Sequence, residues 1–446
     1  MAEEREQSAE HVTDAWVYLF GRYLVMRQER IDLAEDGMDY NVLKHNPAVV
    51  VGTDPGAAPT FVNPNLDVVY SEAWIAVDES TPAILEVPEV PAGRYYTAQI
   101  VDEWAEITHN INERNFPEHP HGRYAICLAG SSPEVPEGCL RVDIPSTKAK
   151  LLTRVQLGDD VEAAVALQHQ FSLESTGSPH VSRPATLPDF DNAHLPCGWT
   201  FDQRYLDAAL APADACGRAA ELQPLVRQVS SWLEEDPSRL SELDTVVHES
   251  AVPAFMHFVV TFGNVTNGWS STAAYPCFGD DFWFRATANF GGIWWNSSKE
   301  AVYELLHVDA AGAPTTGDTT YAMTFTADEL PSRVVDCFWS LTVYGKPDYM
   351  LVPNPAARYN VSTRSDLAFG DDGSLTLTFA PELPAGTPET NWLPTPAGKA
   401  FTADLRLYLP RDEVRSGSLG AAPTASARLT APTAGCTAIR PSSMHV

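Results

Sequence analysis

The hydrophobic pattern along the chain changes period several times. Over residues 8–35, Val12, Trp16, Leu19, Phe20, Tyr23 and Leu24 recur at helical spacing with charged residues between them, which predicts a packing helix. From about 45 to 160 the apolar residues gather into short β-type runs: Ala48–Val51, Val68–Ile75, Ala83–Val87, Tyr95–Val101, Tyr124–Leu128 and Leu151–Leu157. Turn clusters at Asp54-Pro55-Gly56, Pro91-Ala92-Gly93 and Pro133–Gly138 separate them. Strands so short and so often punctuated predict a barrel or sandwich rather than β-α-β units.

Helical spacing returns over 159–170, with Asp159 and Asp160 in the first turn, where negative charge complements the helix dipole. Residues 174–200 are rich in Pro, Ser and Asp and read as a long crossing loop or a linker. A second helical region covers about 201–265, with a proline-containing break near 236. Strand patterns resume between about 320 and 410, at Thr320–Phe325, Val334–Tyr344, Leu375–Phe379 and Leu405–Leu409, with a turn at Asp371-Asp372-Gly373. The expected fold is α+β and β-rich: two barrel- or sandwich-like domains with helical connecting segments. Its expected parts are an N-terminal helix (1–40), a first β-rich domain (41–170), a linker and helical segment (171–270), a second β-rich domain (271–412) and a loosely ordered tail (413–446).

Composition narrows the class. A chain of 446 residues suggests about three domains at roughly 150 residues each, with two also reasonable. Apolar residues make 44% and charged residues 20%, which excludes disordered, collagen-like and coiled-coil classes. A net charge of −30 repels phosphate backbones, so no nucleic-acid partner is expected; a small-molecule substrate fits better, and a homo-oligomer is compatible. The seven cysteines form no CxxC pair, which argues against a zinc ribbon or disulfide framework and for free thiols in a reducing cytosol. The N-terminus is acidic, and the apolar stretch Ala15–Met26 is interrupted by Arg22 and too short to span a bilayer. A cytoplasmic protein without membrane association is expected.

Two ordered sets of motifs carry a family resemblance. The first is Phe61-Val-Asn-Pro-Asn-Leu-Asp-Val-Val-Tyr-Ser-Glu-Ala-Trp74, followed by Ile84–Pro88, Gly93–Tyr96 and Gln99–Asp102. The second runs through Tyr321–Phe325, Cys337–Tyr344, Asn354-Pro355, Arg358-Tyr359, Asn391–Pro396 and Leu405–Tyr408. Together they resemble the bacterial proteins that pair domains of unknown function 1254 and 1214. The resemblance covers most of 45–170 and 275–410. It implies two β-rich domains with helical connections and no particular chemistry. Many relatives begin with a secretion signal, from which this sequence departs, favouring an intracellular role.

Candidate chemistry starts at Asn63–Tyr70. Asn63, Asn65 and Asp67 suit a polar turn that opens a strand. Equally, Asn65 and Asp67 suit a pocket lining, with Asp67 as acid, base or orienter. Arg94 and Tyr96 share a strand face, and a guanidinium near a phenol favours the phenolate, so the pair suits proton abstraction or an anionic intermediate. Asp102, with Glu103 and Glu106 just beyond, offers paired carboxylates for acid–base work. The alternative there is an Arg–Asp ion pair that closes the end of a barrel.

His119-Pro-His121 lacks the following Glu of a cupin site, and His248, Glu249 and His257 do not form HExxH, so no metal is expected. There is no GxSxG elbow, no GxGxxG fingerprint and no phosphate loop, so no nucleotide or other cofactor is expected. In the second half Tyr321, Trp339, Tyr344, Tyr359, Trp392 and Tyr408, interleaved with Arg358 and Arg406, suit either a stacking platform for a ligand or sheet core. Arg285 is expected to reach a cleft between the halves. The resulting expectation is a cofactor-independent lyase, hydrolase or cyclase. Its acid–base groups are Asp67, Tyr70, Tyr96 and Asp102. Its arginine clamps are Arg94, Arg285 and Arg358, and Asn65, Tyr321, Trp339, Tyr359 and Trp392 help to bind substrate. The competing expectations are a non-catalytic glycan or small-ligand binder and an assembly role through the acidic surface.

Overall fold

The chain opens with a long helix, α1 (Ala2–Leu33), in a computed structural model that describes residues 2–48, 63–273, 277–306, 308–415 and 430. The first half then lays down β1 (Lys44–His45), β2 (Val68–Ala76), β3 (Ala83–Val87), β4 (Tyr96–Asp102), β5 (Ile107–Ile111), β6 (Gly122–Leu128), β7 (Cys139–Ile144) and β8 (Lys148–Gln156). Helix α2 (Val161–Gln168) and β9 (Ser172–Ser175) complete it. Asp160 caps α2 by accepting the Ala163 N–H, so the acidic pair read as a first turn ends just before the helix.

These strands form a five-stranded sheet, β1-β2-β8-β4-β5, and a four-stranded sheet, β7-β6-β3-β9. The period of two explains their packing. Val69, Ala73 and Ile75 of β2, Ala98 and Ile100 of β4, and Leu151 and Val155 of β8 meet Leu85, Tyr124 and Ile126 of the second sheet in one apolar core. The alternate residues, Tyr70, Glu72, Trp74, Gln99, Lys150 and Arg154, lie on the opposite face, and that face is covered rather than open to water.

A helical layer follows: α3 (Gln203–Leu210), α4 (Ala219–Glu235), α5 (Leu240–Val246) and α6 (Val252–Thr261), with a turn of π-helix between α5 and α6. Asp236 ends α4 at the expected break. After the short hairpin β10 (Asn264–Thr266) and β11 (Trp269–Ser271) comes α7 (Phe282–Gly292). Helix α1 is buried on nearly every side from Val12 to Met26, against α3, α4, α6 and α7. It is a central helix, and its buried polar residues therefore need partners.

The second half consists of β12 (Ala301–Leu306), β13 (Tyr321–Phe325), β14 (Trp339–Gly345), β15 (Asn360–Ser362), β16 (Leu375–Ala380), β17 (Trp392–Pro394), β18 (Phe401–Tyr408) and the short α8 (Asp412–Arg415). A six-stranded sheet, β10-β11-β12-β18-β14-β15, packs on a three-stranded sheet, β13-β16-β17. Met323, Phe325, Leu341, Leu377, Phe379, Phe401 and Leu405 fill the space between them.

The chain is thus α+β. Helix and strand take nearly equal shares, 28% and 27%, so richness in β-structure describes each half rather than the whole. Both halves are sandwiches of open sheets; no sheet closes into a barrel among the described residues. Most of the expected strand Ala48–Val51, the turn at 54–56 and most of the expected tail lie outside the described residues. No described helix is long and apolar enough to cross a membrane.

Candidate functional site

The outer face of the first half's five-stranded sheet turns toward the outer face of the second half's six-stranded sheet, and polar groups from both are buried in the seam. On β18 the alternation Asp404-Leu405-Arg406-Leu407-Tyr408 sends the leucines into the sandwich and the other three residues to the seam. Ser340, Thr342 and Tyr344 of β14 stand opposite Arg406, Asp404 and Thr402. From the first half come Asn63, Asn65, Asp67, Tyr70, Tyr95, Gln99 and Arg154.

The contacts across the seam are specific. Asn65 Oδ1 accepts the Asp67 N–H at 2.7 Å, closing an Asx turn, while its Nδ2 donates to the Tyr408 hydroxyl. The residue therefore serves the turn and the seam at once. Tyr344 donates to the Pro64 carbonyl at 2.7 Å, and Arg406 Nη2 donates to the Asn63 carbonyl at 2.9 Å. Arg154 donates to Gln99 Oε1 at 2.5 Å and to the Trp294 carbonyl at 2.7 Å, with its guanidinium 5.5 Å from the centre of the Tyr70 ring. Tyr95 meets Tyr408 edge to face at 5.2 Å. At one end of the seam Glu300 accepts from Arg114 at 2.7 Å, Asn112 at 3.0 Å and Asn115 at 3.1 Å.

Two carboxylates of the seam stand out electrostatically. Asp67 is 1% exposed. Its Oδ1 accepts from Asn360 at 3.3 Å and lies 3.9 Å from Arg364 Nη2. Burial raises its carboxyl above the usual range, against the pull of Ser340, Arg364 and Arg406. Asp404 is pushed up to about 6 by burial, although Arg406 and Lys346 favour its charged form. The same burial holds the Lys346 ammonium below the usual lysine range.

Asp404 also lines a cavity of about 40 Å³ with Asn63, Gly291, Trp295, Tyr349 and Thr402. Helices α6 and α7 supply its apolar wall through Val259 and Phe290. That volume holds roughly three waters or the reacting end of a small molecule. The Asn63 Oδ1 is buried there without a hydrogen bond. A carboxyl near 6 beside an open volume exchanges a proton readily near neutral pH.

The seam gathers seven of the sequence candidates: Asn65, Asp67, Tyr70, Tyr344, Arg406, Tyr408, and Tyr359, which packs on Leu66 and Tyr344. The others are placed elsewhere. Arg94 Nη1 donates to the carbonyls of Gln156 at 2.6 Å and Leu157 at 3.0 Å, stapling the approach to β4 onto the end of β8. Tyr96 points into the first sandwich and donates to the Pro120 carbonyl at 2.7 Å. Burial and Glu113 raise its phenol, so the expected activation by Arg94 is reversed. Asp102 accepts the N–H groups of Trp104 at 2.8 Å and Glu106 at 2.9 Å, which makes it the organiser of a turn; burial pushes it up to about 7. Its expected carboxylate partners face away: Glu103 pairs with Arg22 at 3.3 Å, and Glu106 accepts the Phe278 N–H at 3.2 Å.

Arg285 is buried among the helices, paired with Asp214 at 2.8 Å and lying over Trp104, so it does not enter the seam. Tyr321 and Trp339 belong to the core of the second sandwich. Trp392 donates to the Ala380 carbonyl at 2.9 Å. Arg358 binds the Glu389 carbonyl. Of the aromatics read as a platform, Tyr344, Tyr359 and Tyr408 lie in the seam, while Tyr321, Trp339 and Trp392 do not join them. His119 and His121 are exposed, and the described residues hold no group of three or more His, Cys, Asp or Glu side chains suited to a metal ion.

Asp404, Arg154 and Lys346 were absent from the sequence candidates. One signal for the first two was available: a charged side chain inside a strand of strong core character, as in Leu151-Leu-Thr-Arg-Val155 and Ala403-Asp-Leu-Arg-Leu407.

Comparison with known proteins bears on the fold and the family. The VPA0106 protein from Vibrio parahaemolyticus has a similar crystal structure, with a TM-score of 0.59 at 19% identity over 95% of this chain and 100% of its own. An uncharacterised protein from Burkholderia cenocepacia matches more loosely, with a TM-score of 0.39 at 13% identity over 91% of each chain. The curated proteins give no match. Residues 40–175 match the family model described as protein of unknown function (DUF1254), and residues 300–412 match that described as protein of unknown function (DUF1214). With both matches in this order, the chain belongs to the family of paired DUF1254 and DUF1214 proteins.

Proposed function

We propose that the protein is a small-molecule enzyme that works without a nucleotide or flavin, with acid–base chemistry in the seam between its two halves. The observation that carries this reading is Asp404: a buried carboxyl raised to about 6 at the wall of a cavity. Such a group takes a proton from a substrate in one step and returns it in the next. Asn63 and Tyr349 offer hydrogen bonds at the same cavity, and Trp295 and Phe290 offer apolar contact. Proton transfer of this kind serves a lyase, a hydrolase or a cyclase, and a place in specialised biosynthesis is consistent with it. The net charge of −30 counts against a nucleic-acid partner. The described cysteines are free thiols, in line with work in a reducing cytoplasm.

A second reading, ligand binding without turnover, draws on the seam's internal hydrogen bonding, since Arg154 and Arg406 already spend much of their donor capacity on protein groups. One experiment separates the two. The protein is incubated with a mixture of cell-derived metabolites and their depletion is followed by mass spectrometry, beside Asp404→Asn. Consumption by the parent protein alone supports the enzyme. Retention of a compound without consumption supports the binder, and equal consumption by both proteins removes Asp404 from the chemistry.

A further inference from the structure

A second cavity is larger than the one in the seam. A cleft of about 430 Å³ opens between α1, the end of the first sandwich and the loop after α3. That volume lies within the range of small-molecule sites. Arg22, Met26 and Glu29 follow one face of α1 into it, and Lys148 enters from β8. Arg154 of the seam stands on the same strand face about 20 Å further along, so the two cavities are separate places.

The floor of the cleft is built from buried charges. Arg22, Glu29, Glu103 and Lys148 are 2%, 2%, 3% and 8% exposed. Their mutual contacts use one oxygen of each carboxylate. Glu29 Oε1 accepts from Lys148 at 2.8 Å and from Tyr40 at 2.7 Å. Glu103 Oε1 lies 3.3 Å from both Arg22 Nη2 and Lys148 Nζ. Arg22 spends its other donors on the carbonyls of Glu103 at 2.7 Å and Ala209 at 3.2 Å. The Oε2 atoms of both glutamates accept no hydrogen bond among the described residues, and neither is sealed from solvent. The hydrogen-bonding capacity left on the floor is chiefly that of acceptors.

Charge agrees with this. Lys150 lies next along β8 and is shared by Asp32 at 2.7 Å and Glu72 at 2.6 Å. Arg183 also lines the cleft, but its guanidinium is held by Asp39 at 2.6 and 3.1 Å. With these partners counted, Arg22, Lys148, Lys150 and Arg183 face Glu29, Glu103, Asp32, Glu72 and Asp39, one carboxylate more than cations. The upper walls carry the small or apolar Leu128, Pro145, Ala185 and Ala211 beside the polar Thr147 and Ser182.

We infer that this cleft is a second small-molecule site, one that takes an organic cation: an ammonium group seated against Glu29 and Glu103, carried on a compact apolar body. The experiment is calorimetric titration of the whole chain with phenethylamine, and separately with 3-phenylpropionate, which keeps the apolar body and reverses the charge. Expected is saturable one-to-one binding of the amine and none of the acid. Glu29→Gln is expected to weaken amine binding roughly tenfold or more by removing one carboxylate charge. Ala211→Trp, at an exposed position on the wall, is expected to weaken it as strongly by filling the cleft, and it reads the site even if Glu29→Gln does not fold. Equal binding of the amine to all three proteins, preference for the acid, or no heat with the amine at millimolar concentration overturns the inference.

Discussion

Arg406 Nη2 lies 3.5 Å from Asp404 Oδ2 on the seam face of one strand. The guanidinium does not fully neutralise its neighbour, because it also donates to the Asn63 carbonyl and the Thr342 hydroxyl. Burial therefore prevails, and the carboxyl rises to about 6. Removing the cation moves it further. In Arg406→Met the Asp404 titration is expected to shift up by roughly one unit, read by carbon NMR of carboxyl-labelled protein, with Asp404→Asn identifying the signal. A downward shift contradicts the assignment of Arg406 as the charge that favours the ionised form.

Glu300 ties the halves together through Arg114, Asn112 and Asn115. In Glu300→Gln the half-buried Arg114 loses its buried partner and keeps only the more exposed Glu113. A loss on the order of 3 kcal/mol in urea unfolding is expected. A loss below about 0.5 kcal/mol, the range of ordinary surface substitutions, denies the clamp.

Glu304 gives a dependence on pH. It lies 1% exposed in the second half, accepts from Ser271 at 2.7 Å, and is pushed up to about 8 by burial. The unfolded chain releases this proton near pH 4.3, the folded chain only near 8. Between these values the native state holds the extra proton, so this group's contribution to stability falls as pH rises. Glu304→Gln is expected to gain relative to the parent protein across that window and to level off above it, by on the order of 5 kcal/mol. Parallel stability curves for the two proteins from pH 5 to 9 contradict this.

Tyr96→Phe removes a hydroxyl that donates only inside the first sandwich, to Pro120. About 1 kcal/mol of stability is expected to go with that hydrogen bond, and turnover is expected to be unchanged. A large fall in turnover with intact folding returns Tyr96 to the chemistry.

These residues also explain what was legible in the sequence. Period and turn residues mark the strands of the first half well, because Val69, Ala73 and Ile75 face a core and their spacing says so. The long α1 was legible as a helix, though not as a central one, because Arg22, Glu29 and Asp32 resemble a solvated face until Glu103, Lys148 and Lys150 are brought to them. Alternation likewise separates the two faces of β18 without telling what covers each, so Asp404 looks like a residue in water. Arg285 is illegible for the opposite reason: its partner Asp214 lies 71 residues away in a loop that no periodicity marks. Asn65 and Asp67 were legible because the turn chemistry and the seam both use them.

The account stands or falls on Asp404 as the proton-transfer group of the seam. The most direct measurement is the single-turnover rate, against pH, for a compound that the parent protein consumes, compared with Asp404→Asn. The account predicts an inflection near pH 6 in the parent protein and a rate about 10²–10⁴-fold lower in the variant, with substrate affinity little changed. Rates within about twofold of each other, with the inflection present in both proteins, would contradict it.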